Sequence, residues 1–247
     1  MALTVSGSMP NRALAAAEEI QIYMDEMNAP KEIGLDIHTN YVFKGNHTPD
    51  YPGAQAPDQV LRITPEFSYG LTPNLELGAY ILMSHGSDER STVDGEKVRL
   101  KFLATKEDGQ HFYWGANVEV GRVNYRLDQN PWNGELKGII GYRDERWTLA
   151  TNPNIAWKIS GPASNPPSFH LDSKLAYKTE WGFDAGVESY NEFGPVAHMG
   201  HFDKESQTLF GVIDINVHGW DLDLGLGHGL NAASDRWLVK AVISVPL

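Results

Sequence analysis

The 247-residue chain contains no cysteine. That excludes a disulfide framework, thiolate-ligated zinc or iron–sulfur centres, and thiol catalysis. Lack of cysteine is also common in proteins exported through an oxidising compartment. No run approaches the roughly 18 uncharged apolar residues that a membrane-crossing helix needs. A helical membrane protein is therefore excluded. Basic residues are scarce: 20 Lys and Arg stand against 32 Asp and Glu, a formal net charge of −12. Such a chain repels a phosphate backbone, so no nucleic-acid partner is expected. Helical periodicity is missing after residue 31. The one short helix-compatible stretch, 18–28 (EEIQIYMDEMN), could equally be extended.

What is present is a hydrophobic fraction of 41%, too high for a disordered chain. Aromatics reach 11%, with seven Trp, and need a particular home. From residue 32 onward, runs of about ten residues alternate apolar and polar, separated by turn residues. Period two is the signal of a half-buried strand. Twelve such runs are expected, near 32–44, 59–71, 75–84, 97–105, 111–123, 133–143, 147–158, 168–178, 181–193, 207–218, 220–230 and 237–247. Connections at 72–74, 106–110, 144–146, 179–180 and 219 are short. Those at 45–58, 85–96, 124–132, 159–167, 194–206 and 231–236 are longer. Strict alternation of short and long places all tight turns at one end of an up-and-down barrel. Outer-membrane barrels have this asymmetry, with short periplasmic turns.

The faces follow from parity. In 75–84, Leu75, Leu77, Ala79, Ile81 and Met83 share one side, and Glu76, Gly78, Tyr80, Leu82 and Ser84 the other. In 220–230, Leu222, Leu224 and Leu226 oppose Asp221, Asp223, Gly225 and Gly227. One face is apolar through its middle. The other is polar, charged or glycine, which suits a barrel interior. Aromatics on the apolar face gather towards the strand ends: Tyr69, Phe112, Trp114, Tyr142, Trp147, Tyr177, Trp181 and Phe183 at the short turns, and Tyr41, Phe43, Trp157, Phe169 and Trp237 at the long loops. Two aromatic belts around an aliphatic band are what a bilayer selects. The fold class expected is all-β: an antiparallel up-and-down transmembrane β-barrel of about 12 strands, spanning 32–247, in the outer membrane of a Gram-negative bacterium. Pro65 and Pro153 each remove a ladder hydrogen bond, so a bulge is expected at each.

Ahead of the barrel, Leu14-Ala15-Ala16-Ala17-Glu18 has the small residues of a signal-peptide cleavage site. Residues 1–17 are read as a residual signal peptide starting upstream of Met1, or a disordered tail. Residues 18–31 are read as a periplasmic N-terminal segment. It carries Ile20, Ile22, Met24 and Met27 beside Glu18, Glu19, Asp25 and Glu26, and is expected to stay on the periplasmic side or tuck into the lumen. The last run places Val239, Ala241, Ile243, Val245 and Leu247 on the lipid face. This is similar to the C-terminal signal read by the barrel assembly machinery, with Leu247 where Phe is usual.

Two segments carry a family resemblance: Phe67-Ser68-Tyr69-Gly70-Leu71-Thr72-Pro73-Asn74-Leu75-Glu76-Leu77-Gly78 and Glu188-Ser189-Tyr190-Asn191-Glu192-Phe193-Gly194. They resemble proteobacterial outer-membrane barrels of the phenol-degradation meta-pathway transporter type. In those barrels a tyrosine-glycine-leucine-threonine hairpin followed by a leucine-rich strand recurs. The resemblance implies an outer-membrane channel or uptake protein, with aromatic compounds as one substrate class. It carries over no binding residues.

Parity also sorts the charges. A basic wall (Arg62, Arg99, Lys101, Lys137, Arg143) is expected on the second to sixth strands. An acidic wall (Asp184, Glu188, Asp214, Asp221, Asp223) is expected on the ninth to eleventh. Opposed walls would orient a polar solute and set ion preference. The alternative is that these charges pair and close the lumen, leaving a structural or interaction barrel. A third reading, a membrane-embedded hydrolase, needs a Ser–His pair. His228 faces lipid, but Ser189, of matching parity, sits two strands away, about 10 Å. His198 and His201 could bind a metal only on a helix, which Pro195 and Gly200 oppose. The leading expectation is therefore a porin-like channel for passive passage of small solutes. It would have lipid and solutes as partners, and no enzyme activity, cofactor or metal.

Overall fold

Alternating sequence becomes paired strand when every backbone group has a neighbour to bond, and closure supplies that for all strands at once. The computed structural model describes residues 19–86, 90–107, 109–161, 166–200 and 202–247. The signal-peptide expectation for 1–17 lies outside them. Twelve strands form: β1 (Ile33–Lys44), β2 (Leu61–Thr72), β3 (Leu75–His85), β4 (Ser91–Leu103), β5 (Phe112–Val123), β6 (Trp132–Arg143), β7 (Trp147–Ser160), β8 (Ser168–Lys178), β9 (Phe183–Pro195), β10 (Gln207–Val217), β11 (Trp220–Gly229) and β12 (Trp237–Ser244). Each pairs antiparallel with its neighbours in sequence. β1 also pairs β12, from Asp36 opposite Ser244 to Val42 opposite Leu238, and closes the barrel.

Burial is inverted relative to a water-soluble protein. Leu77, Ile81, Val98, Val118, Leu136, Ile140, Val187, Ile213 and Leu224 point outwards and are exposed. Their strand neighbours Glu76, Arg99, Lys101, Glu119, Lys137 and Glu188 point inwards and are buried. An outer surface of this kind is stable only in contact with hydrocarbon. Near the strand ends the outer rings pair up: Phe43 stacks on Trp237 at 6.4 Å, and Trp147 meets Tyr177 edge-on at 4.9 Å.

Two local expectations are corrected. β4 begins at Ser91 rather than near 97, because Thr92 and Val93 pair with β3 beyond a bulge at Asp94. The connection 86–90 is therefore shorter than 104–111 at the opposite end, and the strict short–long alternation fails there. Nor do the prolines make bulges. Opposite Pro65 the β2–β3 ladder skips from Ile63–Met83 to Glu66–Tyr80. Opposite Pro153 the β6–β7 ladder skips from Lys137–Asn154 to Ile140–Thr151, in both cases with register unchanged. A missing N–H opens a gap in one ladder, while the partner strand on the other side holds the register. Gly138 helps: a Cβ there would sit 3.0 Å from Pro153 Cγ.

Candidate functional site: the lumen

Residues 19–31 run inside the barrel in non-helical conformation. They are held by side chains of the wall rather than by sheet pairing. At the barrel end the Lys31 N–H donates to the Gly70 carbonyl at 2.8 Å. A Cβ at Gly70 would lie 2.1 Å from the Ala29 carbonyl oxygen, so only glycine allows this approach. Farther in, the Asn28 N–H donates to Glu76 Oε2 and its amide to Ser68 Oγ, both at 2.7 Å. Lys101 Nζ donates to the Glu26 carbonyl at 2.8 Å. Arg143 pairs with Glu26 at 2.6 Å and with Asp25 at 3.0 Å.

Tyr23 has the most wall partners of the segment. Its N–H donates to Asn152 Oδ1 at 2.7 Å, and Asn152 Nδ2 returns a bond to the Tyr23 carbonyl at 3.0 Å. The two-way amide clasp mimics a strand ladder. The Tyr23 hydroxyl meets that of Tyr80 at 2.7 Å, and Lys137 Nζ lies 4.9 Å from the ring centre. Tyr23 packs with Leu103, Tyr113 and Ile139, and Met24 and Met27 cover the cluster. The apolar residues of 19–31 thus have an apolar patch waiting on the inner wall. Burial pushes the Glu19 carboxyl well above its ordinary range, and the nearby Glu119 charge adds to this.

The expected wall residues face the lumen, interleaved with the opposite sign. Arg99 donates to Glu66 at 2.6 Å and to Glu76 at 2.7 Å, and Glu66 also bonds His38 at 3.0 Å. Lys101 reaches Glu76 at 3.2 Å, and Lys137 reaches Glu135 at 3.0 Å. Arg62 lies towards the long-loop end, beside Asp50 and Gln55. Across the barrel, Glu188 sits between Lys174 and Lys240. Lys174 also pairs with Asp214 at 2.8 Å and Asp223 at 3.3 Å. Asp221 accepts from Asn216 at 2.7 Å, and Asp184 lines the open space beside it.

Sequence reasoning missed Lys97, which pairs with Glu119 at 2.9 Å, and Lys240. Both were legible: Lys97 shares the parity of Arg99 and Lys101, and Lys240 alternates with Val239 and Ala241.

Two spaces remain. A vestibule of about 1070 Å³ opens at the short-turn end, between the inserted segment and the Asp214–Asp223 side. A smaller cavity of about 170 Å³ lies at the long-loop end, floored by Ile20 and Gln21. Between them stand Tyr190, Glu188, Lys174 and Lys240. The Tyr190 hydroxyl donates to Glu188 at 2.8 Å and accepts from Lys240 at 3.3 Å.

For hydrolytic chemistry, His228 packs edge-on against Trp237 at 4.4 Å, while Ser189 Oγ accepts from Asn191. His198 ends a single 3₁₀ turn, Val196–His198, and His201 lies outside the described residues. Among the described residues, no group of three His, Asp or Glu could hold a metal ion.

An outer-membrane channel from Pseudomonas putida F1 superposes with a TM-score of 0.60 at 14% identity, covering 89% of this chain and 96% of that one. KdgM porin gives 0.57 at 9% identity, over 87% and 99%. NanC porin gives 0.55 at 12% identity, over 86% and 100%. At such identities these likenesses show the shared barrel fold. Among curated proteins no sequence matches significantly. The profile of one family, described as "Putative MetA-pathway of phenol degradation", matches residues 103–246, from the end of β4 past the end of β12, and the chain belongs to that family.

Proposed function

We propose that the chain is a porin-like outer-membrane channel for passive passage of small solutes, with residues 19–31 obstructing its lumen. The observation that carries this reading is the vestibule. A polar space of about 1070 Å³ reaches inward from the short-turn end and stops at side chains and at a segment that belongs to no strand. A barrel whose sole task were structural would gain nothing from such a void. Twelve strands leave room for a narrow lumen, between the filled eight-stranded and the open sixteen-stranded cases. The fold shared with proteins named as a channel and as porins supports the reading. Membrane lipid surrounds the barrel and the barrel assembly machinery inserts it. The buried ion pairs support a second reading, a structural barrel closed by its own charges. Conductance of the purified protein in planar bilayers separates the two.

Ion preference follows from what lines the vestibule. Asp36, Asp184 and Asp221 reach it, and among the described residues none of the three forms a lysine ion pair of the Lys174 kind, although Lys178 stands opposite Asp184 in the β8–β9 register. Fixed negative charge raises the local cation concentration. Reversal potentials should show cation preference at low salt. The preference should fade towards 1 M, where the Debye length is about 3 Å. The double variant Asp184→Asn with Asp221→Asn should reduce it. Anion preference at low salt would contradict this lining.

A further inference from the structure

The inserted segment leans on one half of the barrel. Tyr23 to Lys31 bond to β2, β3, β4, β6 and β7, through Ser68, Glu76, Lys101, Arg143 and Asn152 among others. The other half carries Asp184, Asp214 and Asp221 of the vestibule and Tyr190, Phe210 and Leu238 of the long-loop cavity. The two spaces thus lie on the same side, and one layer of side chains parts them. In that layer the Phe210 ring lies against Gly227, where a Cβ would sit 2.5 Å from Phe210 Cζ. The Tyr190 ring meets Phe210 edge-on at 5.4 Å. Lys240 Nζ lies 5.8 Å from the Tyr190 ring centre and 5.9 Å from that of Phe210. From the segment, Ile20 packs against the same apolar cluster. The members of the layer differ in what holds them. Lys174, Glu188 and Lys240 are buried and ion-paired, so moving one strands a charge. Tyr190 is held by ring contacts and by its hydroxyl, which donates to Glu188 at 2.8 Å and accepts from Lys240 at 3.3 Å. Rotation of its side chain breaks those contacts and no ion pair.

We propose that solutes pass beside the segment, along β8–β12, and that Tyr190 is the gate that sets which of them pass. The segment fills the β2–β7 half of the lumen, and the Tyr190 layer closes the rest. Rotation of the Tyr190 ring away from Phe210 joins the vestibule to the long-loop cavity. A constriction lined by apolar rings conducts once it wets, so the ring acts as a door. A passing solute then meets Phe210 on one side and the Lys240 ammonium on the other. The inference deepens the channel reading by assigning its route and its selecting residue, and rests on that reading.

The test is planar-bilayer conductance of the full chain carrying Tyr190→Cys. The sequence has no other cysteine, so a thiol reagent reacts at that position alone. Loss of the ring should at least double the single-channel conductance. Benzyl methanethiosulfonate puts a ring back and should return the conductance to the wild-type level, and a reductant should raise it again in the same channel. Tyr190→Phe, which keeps the ring and loses the hydroxyl latch, should conduct more than wild type and less than Tyr190→Cys. Heat-shifted gel mobility reports an intact barrel. Should Tyr190→Cys fail to assemble, Tyr190→Phe against wild type decides the point. Wild-type conductance in the assembled variant, or a raised conductance that the reagent does not lower, overturns the passage. If the chain shortened by residues 19–27 conducts in that event, the channel reading stands without it. No conductance in either variant overturns both.

Discussion

Removal of residues 19–27 is expected to raise single-channel conductance severalfold while leaving the barrel assembled. The segment lies across the lumen, and its bonds run to side chains of the wall: Asn152, Tyr80, Lys101, Lys106 and Arg143. No strand pairing is lost with it. Asn28 and Lys31 stay tied to Glu76, Ser68 and Gly70 at the rim. Behind the missing segment, Arg99 keeps Glu66 and Glu76, and Lys137 keeps Glu135. Asn152 and Arg143 lose partners, but water enters the widened lumen and replaces these bonds at little cost. Planar-bilayer recordings read the change, and unboiled gel mobility confirms the closed barrel. Unchanged conductance would mean that the obstruction lies elsewhere, at the Glu188–Lys174–Lys240 cluster.

Replacement of Ile213 by Arg should cost about 2–4 kcal/mol in vesicles, the range for a basic residue on the lipid face near the midplane. Ile213 is exposed and lies between Leu224 and Ala185 on neighbouring strands, all on the outer face. Asp184→Arg makes the contrast. Asp184 lines the water-accessible vestibule, so the cost there should stay within about 0.5 kcal/mol, as for ordinary hydrated positions. Asp214 is a poorer control, because its carboxylate neutralises Lys174. Denaturant titration of the folded barrel measures both. Equal costs would contradict the inside–outside assignment.

The barrel was legible because its signal is local. Period two sorts Leu222, Leu224 and Leu226 from Asp221 and Asp223 within one short run, and the outer belts follow from Tyr142, Trp147 and their neighbours. The lumen was less legible, since its contacts join distant parts of the chain. Tyr23 and Asn152 are 129 positions apart, and nothing near either residue announces the other. Parity placed Arg99 and Glu188 inside, but which charges would meet depended on strand stagger. Hence Lys174 and Lys240 joined Glu188, and Glu66 and Glu76 joined Arg99.

Residues 19–31 are proposed to hold the lumen of a solute channel closed. A chain without native cysteine allows a direct test with the paired substitutions Tyr23→Cys and Asn152→Cys, at the two-way amide clasp. Conductance of this variant is recorded in one bilayer before and after addition of a reductant. A low conductance when oxidised that rises severalfold on reduction is the predicted result. High conductance in the oxidised, cross-linked protein, or none in either state, would contradict it.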